Sequence, residues 1–148
     1  THGLLAGEVD GLSEPGLVFT PPQTATEDDD GLLTASEIAQ LDLDADWVLL
    51  SACNTAAGEA AGSEGLTGLA KSFFYAGARS LLASHWPVRD DLAAILSSRT
   101  VALELSDGAL SRAQALRQAM LAVRNDPDDD TAAHPSSWAP FMLVGDGR

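Results

Sequence analysis

The sequence contains a single cysteine, Cys53, among its 148 residues. One thiol excludes an internal disulfide and any zinc site built from several cysteines, and it fits a reducing compartment. No apolar run approaches the ~18 residues that a membrane span needs, and no signal peptide is visible. We therefore expect a cytoplasmic protein that does not enter a membrane.

Basic residues are also scarce, since 8 Lys and Arg stand against 22 Asp and Glu and the net charge is −14. Nucleic acid would be repelled by this charge, and the few basic residues form no stripe. No glycine-rich phosphate loop follows a predicted strand. The Asp-rich segments 28–30 and 128–130 lack the alternating ligand spacing of a calcium loop. The sequence therefore predicts no nucleic-acid partner, no metal and no cofactor.

Enough apolar residues remain for one folded domain over residues 1–148. Hydrophobic residues make up 45% of the chain and charged residues 20%, an ordinary globular composition. The length is sufficient for one core. Because the chain begins with Thr1 and its methionines are Met120 and Met142, we expect it to be a piece of a longer protein.

The apolar pattern predicts alternating strands and helices. Two near-continuous apolar runs, 45–52 and 79–84, are typical of strands buried on both faces, and further strands are expected at 17–20 and 138–144. Helical spacing and capping signals, including a Thr34–Glu37 capping box and a terminal Gly77, predict helices at 34–40, 65–77, 90–105 and 110–124. This order predicts an α/β fold whose sheet is parallel and carries helices on its faces.

Cys53 directly follows the first buried run, and reactive groups in open α/β sheets gather beyond the carboxyl ends of strands. A free thiol has a pKa of about 8.5, so a nearby imidazole is needed to make it anionic at neutral pH. Of His2, His85 and His134, His2 is followed by Gly3, where a backbone N–H can donate to a developing oxyanion. From these residues alone, plain core packing of the cysteine remains the commoner role.

Several short segments occur in a specific order along the chain. They are 33–38, 50–55, 64–66, 73–78, 83–88 and 134–145. Their sequences, notably Leu-Ser-Ala-Cys-Asn-Thr around Cys53 and Ala-Ser-His-Trp-Pro-Val around His85, resemble the CHAT family. That family is a caspase-like domain which often follows tetratricopeptide repeats and is related to separases, caspases and gingipains.

The resemblance implies a caspase-hemoglobinase fold, with three layers and a mostly parallel sheet, and a cysteine peptidase that uses a His/Cys dyad. The dyad falls on His2 and Cys53, and the backbone N–H groups of Gly3 and Cys53 form the oxyanion hole. Family members have one or more strands before the His-Gly pair, but only Thr1 precedes His2 here. We therefore expect the early strands to be missing and the sheet to have an open edge. For this reason the isolated piece is expected to be inactive, whereas the parent protein would be active.

Three further residues are candidates for the substrate pocket. Ser51 flanks the nucleophile, and His85 occupies a position where the family usually has Leu. By analogy with separases, Asp90 would favour a basic or polar side chain before the cut through charge pairing. The alternatives are a hydrogen-bonded structural role for His85 and helix capping for Asp90. We expect His134 to lie in a turn and Arg79 to pair with an acid.

The sequence is compatible with two alternative functions. The first is a cysteine endopeptidase that cleaves a protein or peptide substrate under the control of an upstream sensor, with a tetratricopeptide-repeat region in the parent protein. The second is a catalytically idle scaffold or interaction domain. The intact His-Gly and Ala-Cys pairs favour the peptidase.

Overall fold

The computed structural model describes residues 2–21, 24–26, 30–50, 65–106 and 108–148, with only the backbone described at residues 2 and 65–67. Within these ranges the elements follow in the order β1 (His2–Leu4), β2 (Gly16–Val18), β3 (Leu32–Thr34), α1 (Ala35–Ile38), β4 (Val48–Leu50), α2 (Gly65–Tyr75), β5 (Ser80–Ser84), α3 (Asp90–Ser106), α4 (Arg112–Arg124), α5 (Pro135–Trp138) and β6 (Phe141–Gly145). No described helix combines the length and apolar character that crossing a membrane requires.

The described strands form two three-stranded sheets. The first has the order β1-β2-β3, and both of its pairings are antiparallel. The second has the order β4-β5-β6, in which β4 and β5 are parallel and β5 and β6 are antiparallel. The expected α/β class is confirmed. The expected mostly parallel sheet is not found among the described strands, because an apolar run indicates burial on both faces and does not set strand direction.

β5 is the centre of the second sheet and is buried at every position. Leu81 and Ala83 lie in an apolar cluster with residues of α1 and α2, while Leu82 lies in a second cluster with residues of α3 and α4. Because successive side chains of a strand point to opposite faces, β5 is covered by helices on both sides. This arrangement explains why the sequence of β5 shows no polar-apolar alternation.

The first sheet is attached to the α1–α2 side of the second sheet. Leu17 of β2 is buried and belongs to the same apolar cluster as Ile38 of α1 and Leu50 of β4. The backbone N–H and hydroxyl of Ser36 both donate to the Glu14 carboxylate, at 2.9 and 2.8 Å. The entry to β2 is therefore held against the start of α1.

The helix ends follow the predicted capping signals. Thr34 and Glu37 form the capping box at the start of α1. Gly77 has a φ of 100°, and its N–H donates to the Phe74 carbonyl at 3.1 Å while the Ala78 N–H donates to the Phe73 carbonyl at 2.9 Å. These two bonds form a Schellman motif, which favours glycine because its φ is positive.

Two parts of the prediction need correction. The last strand was expected over 138–144 but begins at Phe141, because Pro135–Trp138 forms a helical turn. Pro135 at its first position suits such a start, since proline fixes the helical φ and has no N–H to lose. The strands β1 and β3 were not predicted, since three residues are too few to show an alternating pattern.

β4 forms one edge of the second sheet as far as the described strands show. Leu49, which is 37% exposed, pairs in register with Leu82 and so faces α3 and α4. An open apolar groove runs beside it, lined by Leu49, Ser97, Ser98, Val101, Ala102 and Leu105. Leu105 at the end of this groove is 76% exposed. The family-based expectation that early strands are missing stays a prediction.

We expect Leu96→Ala to lower the free energy of unfolding by about 2–5 kcal/mol, because Leu96 is completely buried under the second sheet and truncation leaves a cavity. Leu105→Ala on the same helix is the matched control and should change stability by less than about 0.5 kcal/mol, since Leu105 is exposed. Equilibrium urea unfolding measures both. Equal losses would contradict the described packing of α3.

Candidate functional site

The carboxyl ends of β4 and β5 lie at the same edge of the second sheet. These strands are parallel, with Leu50 opposite Ala83, and such an edge is where active sites of α/β folds gather. The described range 30–50 ends at Leu50, so Ser51 and Cys53 lie outside the described residues. The predicted nucleophile is therefore connected to this edge by two intervening residues of sequence.

The predicted base and oxyanion donor lie at the start of the first sheet. The backbones of His2 and Gly3 belong to β1 and stand opposite Val18 and Leu17 of β2. Leu17 shares its apolar cluster with Leu50, the last described residue of β4. The His-Gly pair is thus on a strand of the antiparallel sheet whose middle strand shares an apolar cluster with β4. Convergence of the His2 ring on the Cys53 sulfur stays a prediction.

His85 is the first exposed residue beyond β5. Its backbone N–H donates to the Pro140 carbonyl at 2.7 Å, which extends the pairing of β5 with β6 by one residue. Its imidazole stacks with the Trp86 indole, with centroids 6.1 Å apart and ring planes at 24°. Among the described residues the ring accepts or donates no hydrogen bond, in contrast to the alternative of a hydrogen-bonded structural histidine.

The segment after His85 is fixed at its far end by Arg89. The Arg89 guanidinium donates to Asp91 at 2.7 and 3.2 Å, to Asp129 at 3.1 Å and to the Thr131 hydroxyl at 3.2 Å. Val88 between the aromatic pair and Arg89 is buried. Arg89 therefore connects the end of the β5 segment to a turn that lies forty residues further along the chain.

These contacts lower the pKa of both carboxyl groups. The pKa of Asp129 is lowered, chiefly by hydrogen bonds from Thr131 and further by Arg89. The pKa of Asp91 is lowered chiefly by its hydrogen bonds from Arg89, whose own pKa is raised by the same pair. Within the described ranges, no group of three or more His, Cys, Asp or Glu side chains is arranged to hold a metal ion.

Asp90, the candidate specificity residue, lies in the first turn of α3 and is exposed. It is the first helical residue and does not precede the helix as a cap would. A carboxylate at this position interacts favourably with the positive end of the helix dipole. Within the described part of the chain its side chain has no ion-pair partner, so its charge is available at the surface next to Arg89.

Two other predictions concern residues with structural roles. The His134 ring caps α5 by accepting a hydrogen bond from the Ser136 N–H at 3.2 Å, which agrees with the expected turn position. Arg79 pairs with Asp44 and Asp46, each at 2.7 Å, as expected. Arg79 precedes β5 and is therefore at the opposite end of that strand from its carboxyl edge.

Trp86, Arg89 and Asp129 were not predicted as residues of this region. The sequence did contain a signal for Trp86, because the His-Trp-Pro segment follows the predicted buried strand 79–84. No sequence pattern connects Arg89 with Asp129, which belongs to the Asp-rich segment 128–130.

The CHAT domain family model matches residues 1–146 of the chain. Among curated proteins, the mouse tetratricopeptide repeat protein 28 is 29% identical over 98% of this chain, and the human protein of that name is 32% identical over 77% of it. The matches span only 6% and 4% of those relatives' own lengths. No solved structure matches the chain significantly.

We expect the stability difference between wild type and Asp129→Asn to depend on pH. The folded pKa of Asp129 lies below its ordinary value of about 3.8, so its carboxylate contributes stability above that value, and this contribution is lost as the pH falls through the folded pKa. Urea unfolding between pH 7 and pH 3 should show a constant deficit at neutral pH that shrinks below about pH 4. Asp130→Asn, at the exposed neighbour, is the control. A deficit of the same size at every pH would contradict the lowered pKa of Asp129.

Proposed function

Because the chain belongs to the CHAT domain family, we propose that it is a cysteine endopeptidase with Cys53 as nucleophile and His2 as base. The observation that carries this proposal is the parallel register of Leu50 with Ala83, which starts the Ser-Ala-Cys segment at the carboxyl edge of two adjacent strands. The family match supports the same assignment, since it includes both the His-Gly and the Ser-Ala-Cys segments.

The proposed reaction proceeds through an acyl-enzyme. His2 accepts the thiol proton, and the Cys53 sulfur then attacks the carbonyl carbon of the peptide bond. The resulting oxyanion accepts hydrogen bonds from the backbone N–H groups of Gly3 and Cys53. His2 returns the proton to the leaving amine as the C–N bond breaks. Water, deprotonated by His2, hydrolyses the thioester and restores the thiol.

The proposal includes the caspase-hemoglobinase fold. In that fold a further strand, from the part of the family's domain that precedes the His-Gly pair, would pair with the free edge of β4 and cover Leu49. The apolar groove between β4 and α3 supports this placement, because buried parallel strands are normally covered on both faces. Completion of the sheet would surround β4 with backbone partners on both edges.

We also propose that the parent protein carries a tetratricopeptide-repeat region, acts in the cytoplasm and cleaves a protein partner when an upstream sensor is engaged. The names of the two curated relatives, which describe tetratricopeptide repeats, support the repeat region. The alternative is a catalytically idle scaffold or interaction domain. It is favoured by the same names, since their printed words describe repeats and no enzyme.

The first test is the pH dependence of Cys53 alkylation by iodoacetamide in the full-length parent. We expect the wild-type thiol to react with an apparent pKa well below 8.5, because an imidazole stabilises the thiolate. His2→Ala should bring that pKa back toward 8.5, and Cys53→Ala should abolish labelling at this domain. His134→Ala is the control, since that ring caps α5. An ordinary thiol titration that His2→Ala leaves unchanged would favour the idle scaffold.

The second test concerns Asp90 and the residue that precedes the cut. We expect kcat/KM for substrates with Arg or Lys at that position to fall by a factor of about 1.4 to 5 in Asp90→Asn, because an exposed charge pair is worth about 0.2–1 kcal/mol. Profiling a peptide library with wild type, Asp90→Asn and the exposed variant Asp42→Asn, on the segment that leads into β4, measures this. Indifference of the wild type to Arg and Lys would remove Asp90 from the pocket.

A further inference from the structure

The aromatic pair His85–Trp86 lies where the buried strand β5 reaches the surface. Every residue of β5 is buried, whereas His85 is exposed and Trp86 is half-buried. The two rings stack, with centroids 6.1 Å apart and planes at 24°, just beyond the edge at which β4 also ends. The strand next to β5 is β4, whose last described residue, Leu50, precedes Cys53 by three positions in the sequence.

The pair is held in place by contacts on both sides. The His85 N–H donates to Pro140, and the Trp86 indole N–H donates to the Ser136 carbonyl at 3.5 Å. Arg89 fixes the end of the segment through Asp129. A ligand that stacks on a surface already fixed in this way loses less binding energy to the ordering of side chains.

The other tryptophans of the chain show which groups stack on indole rings here. The Arg112 guanidinium lies 5.8 Å from the centroid of Trp47, and that of Arg124 lies 5.9 Å from the centroid of Trp138. Trp86 carries no guanidinium within the described part of the chain, and its recorded ring neighbour is His85. An indole face attracts planar cations and other aromatic rings.

We propose that the His85–Trp86 pair recognises a planar side chain of the bound peptide, either the guanidinium of arginine or an aromatic ring. The inference rests on the proposed function, because it assigns the pair to the cleft that Cys53 serves. It differs from charge pairing with Asp90, since stacking distinguishes arginine from lysine and also accepts uncharged rings. The net charge of −14 favours arginine among the planar side chains.

Peptide binding to the Cys53→Ala protein tests the proposal without requiring cleavage. The probes are acetylated peptides of glycine and alanine with one variable residue, which is Arg, Phe, Lys or Leu. The Trp86 indole N–H signal, followed by NMR during titration, reports both affinity and location. We expect Arg and Phe peptides to bind about threefold to tenfold more tightly than Lys and Leu peptides.

Trp86→Leu should remove this preference, whereas Trp86→Tyr should retain most of it because an aromatic ring is kept. Both variants lack the indole N–H of Trp86, so their titrations are followed by the backbone NMR signals of labelled protein. Tyr75→Leu, which removes a 75% exposed ring elsewhere, is the matched control and should leave the preference unchanged. Circular dichroism melting checks that each variant is folded.

Three results would overturn the proposal. They are a planar preference that survives in folded Trp86→Leu, equal binding of Arg and Lys peptides above Phe and Leu, and no binding of any peptide. Failure of the peptidase assignment is a separate result, because it is read from the titration of Cys53 alkylation in the parent. A normal thiol together with a Trp86-dependent planar preference would leave a peptide-binding domain without catalysis.

Discussion

The burial of β5 on both faces is the constraint on which the rest of the structure depends. Leu81 faces α2 and Leu82 faces α3 and α4, so one five-residue strand joins the two apolar clusters. The buried Ser80 hydroxyl donates to the Asp46 carbonyl at 2.9 Å, which satisfies its polar group and ties the entry of β4 to β5. With β5 fixed, the register of β4 is fixed too, and the end of β4 determines where the segment containing Cys53 begins.

Local signals in the sequence predicted the parts of the fold that depend on neighbouring residues. The capping box of Thr34 and Glu37 and the positive-φ Gly77 are each determined within a few residues, and both are confirmed. The apolar run of β5 was equally plain, because a strand covered on both faces needs no alternation. The antiparallel direction of β6 depends on the path of the three preceding helices, and nothing in its own five residues indicates that path.

The candidate site also has one part that the sequence predicted and another part that depends on the three-dimensional fold. The sequence placed His85 at the carboxyl end of a buried strand, and the structure confirms that position. It could not show that Arg89 reaches Asp129, since forty residues separate them and their pairing depends on how α3 and the later turn fold together. Cys53 and Ser51 were identified from a motif, and they follow the described end of β4.

The open edge of β4 connects the fold to the proposed chemistry. β4 carries the chain toward Cys53, yet among the described strands it is paired on one side only. A strand with one free edge loses its backbone hydrogen bonds more easily than a strand paired on both sides. Any segment that added a strand beside Leu49 would therefore stabilise β4 up to its carboxyl end, and with it the starting point of the Cys53 segment. Completion of the sheet would therefore also help to position the proposed nucleophile.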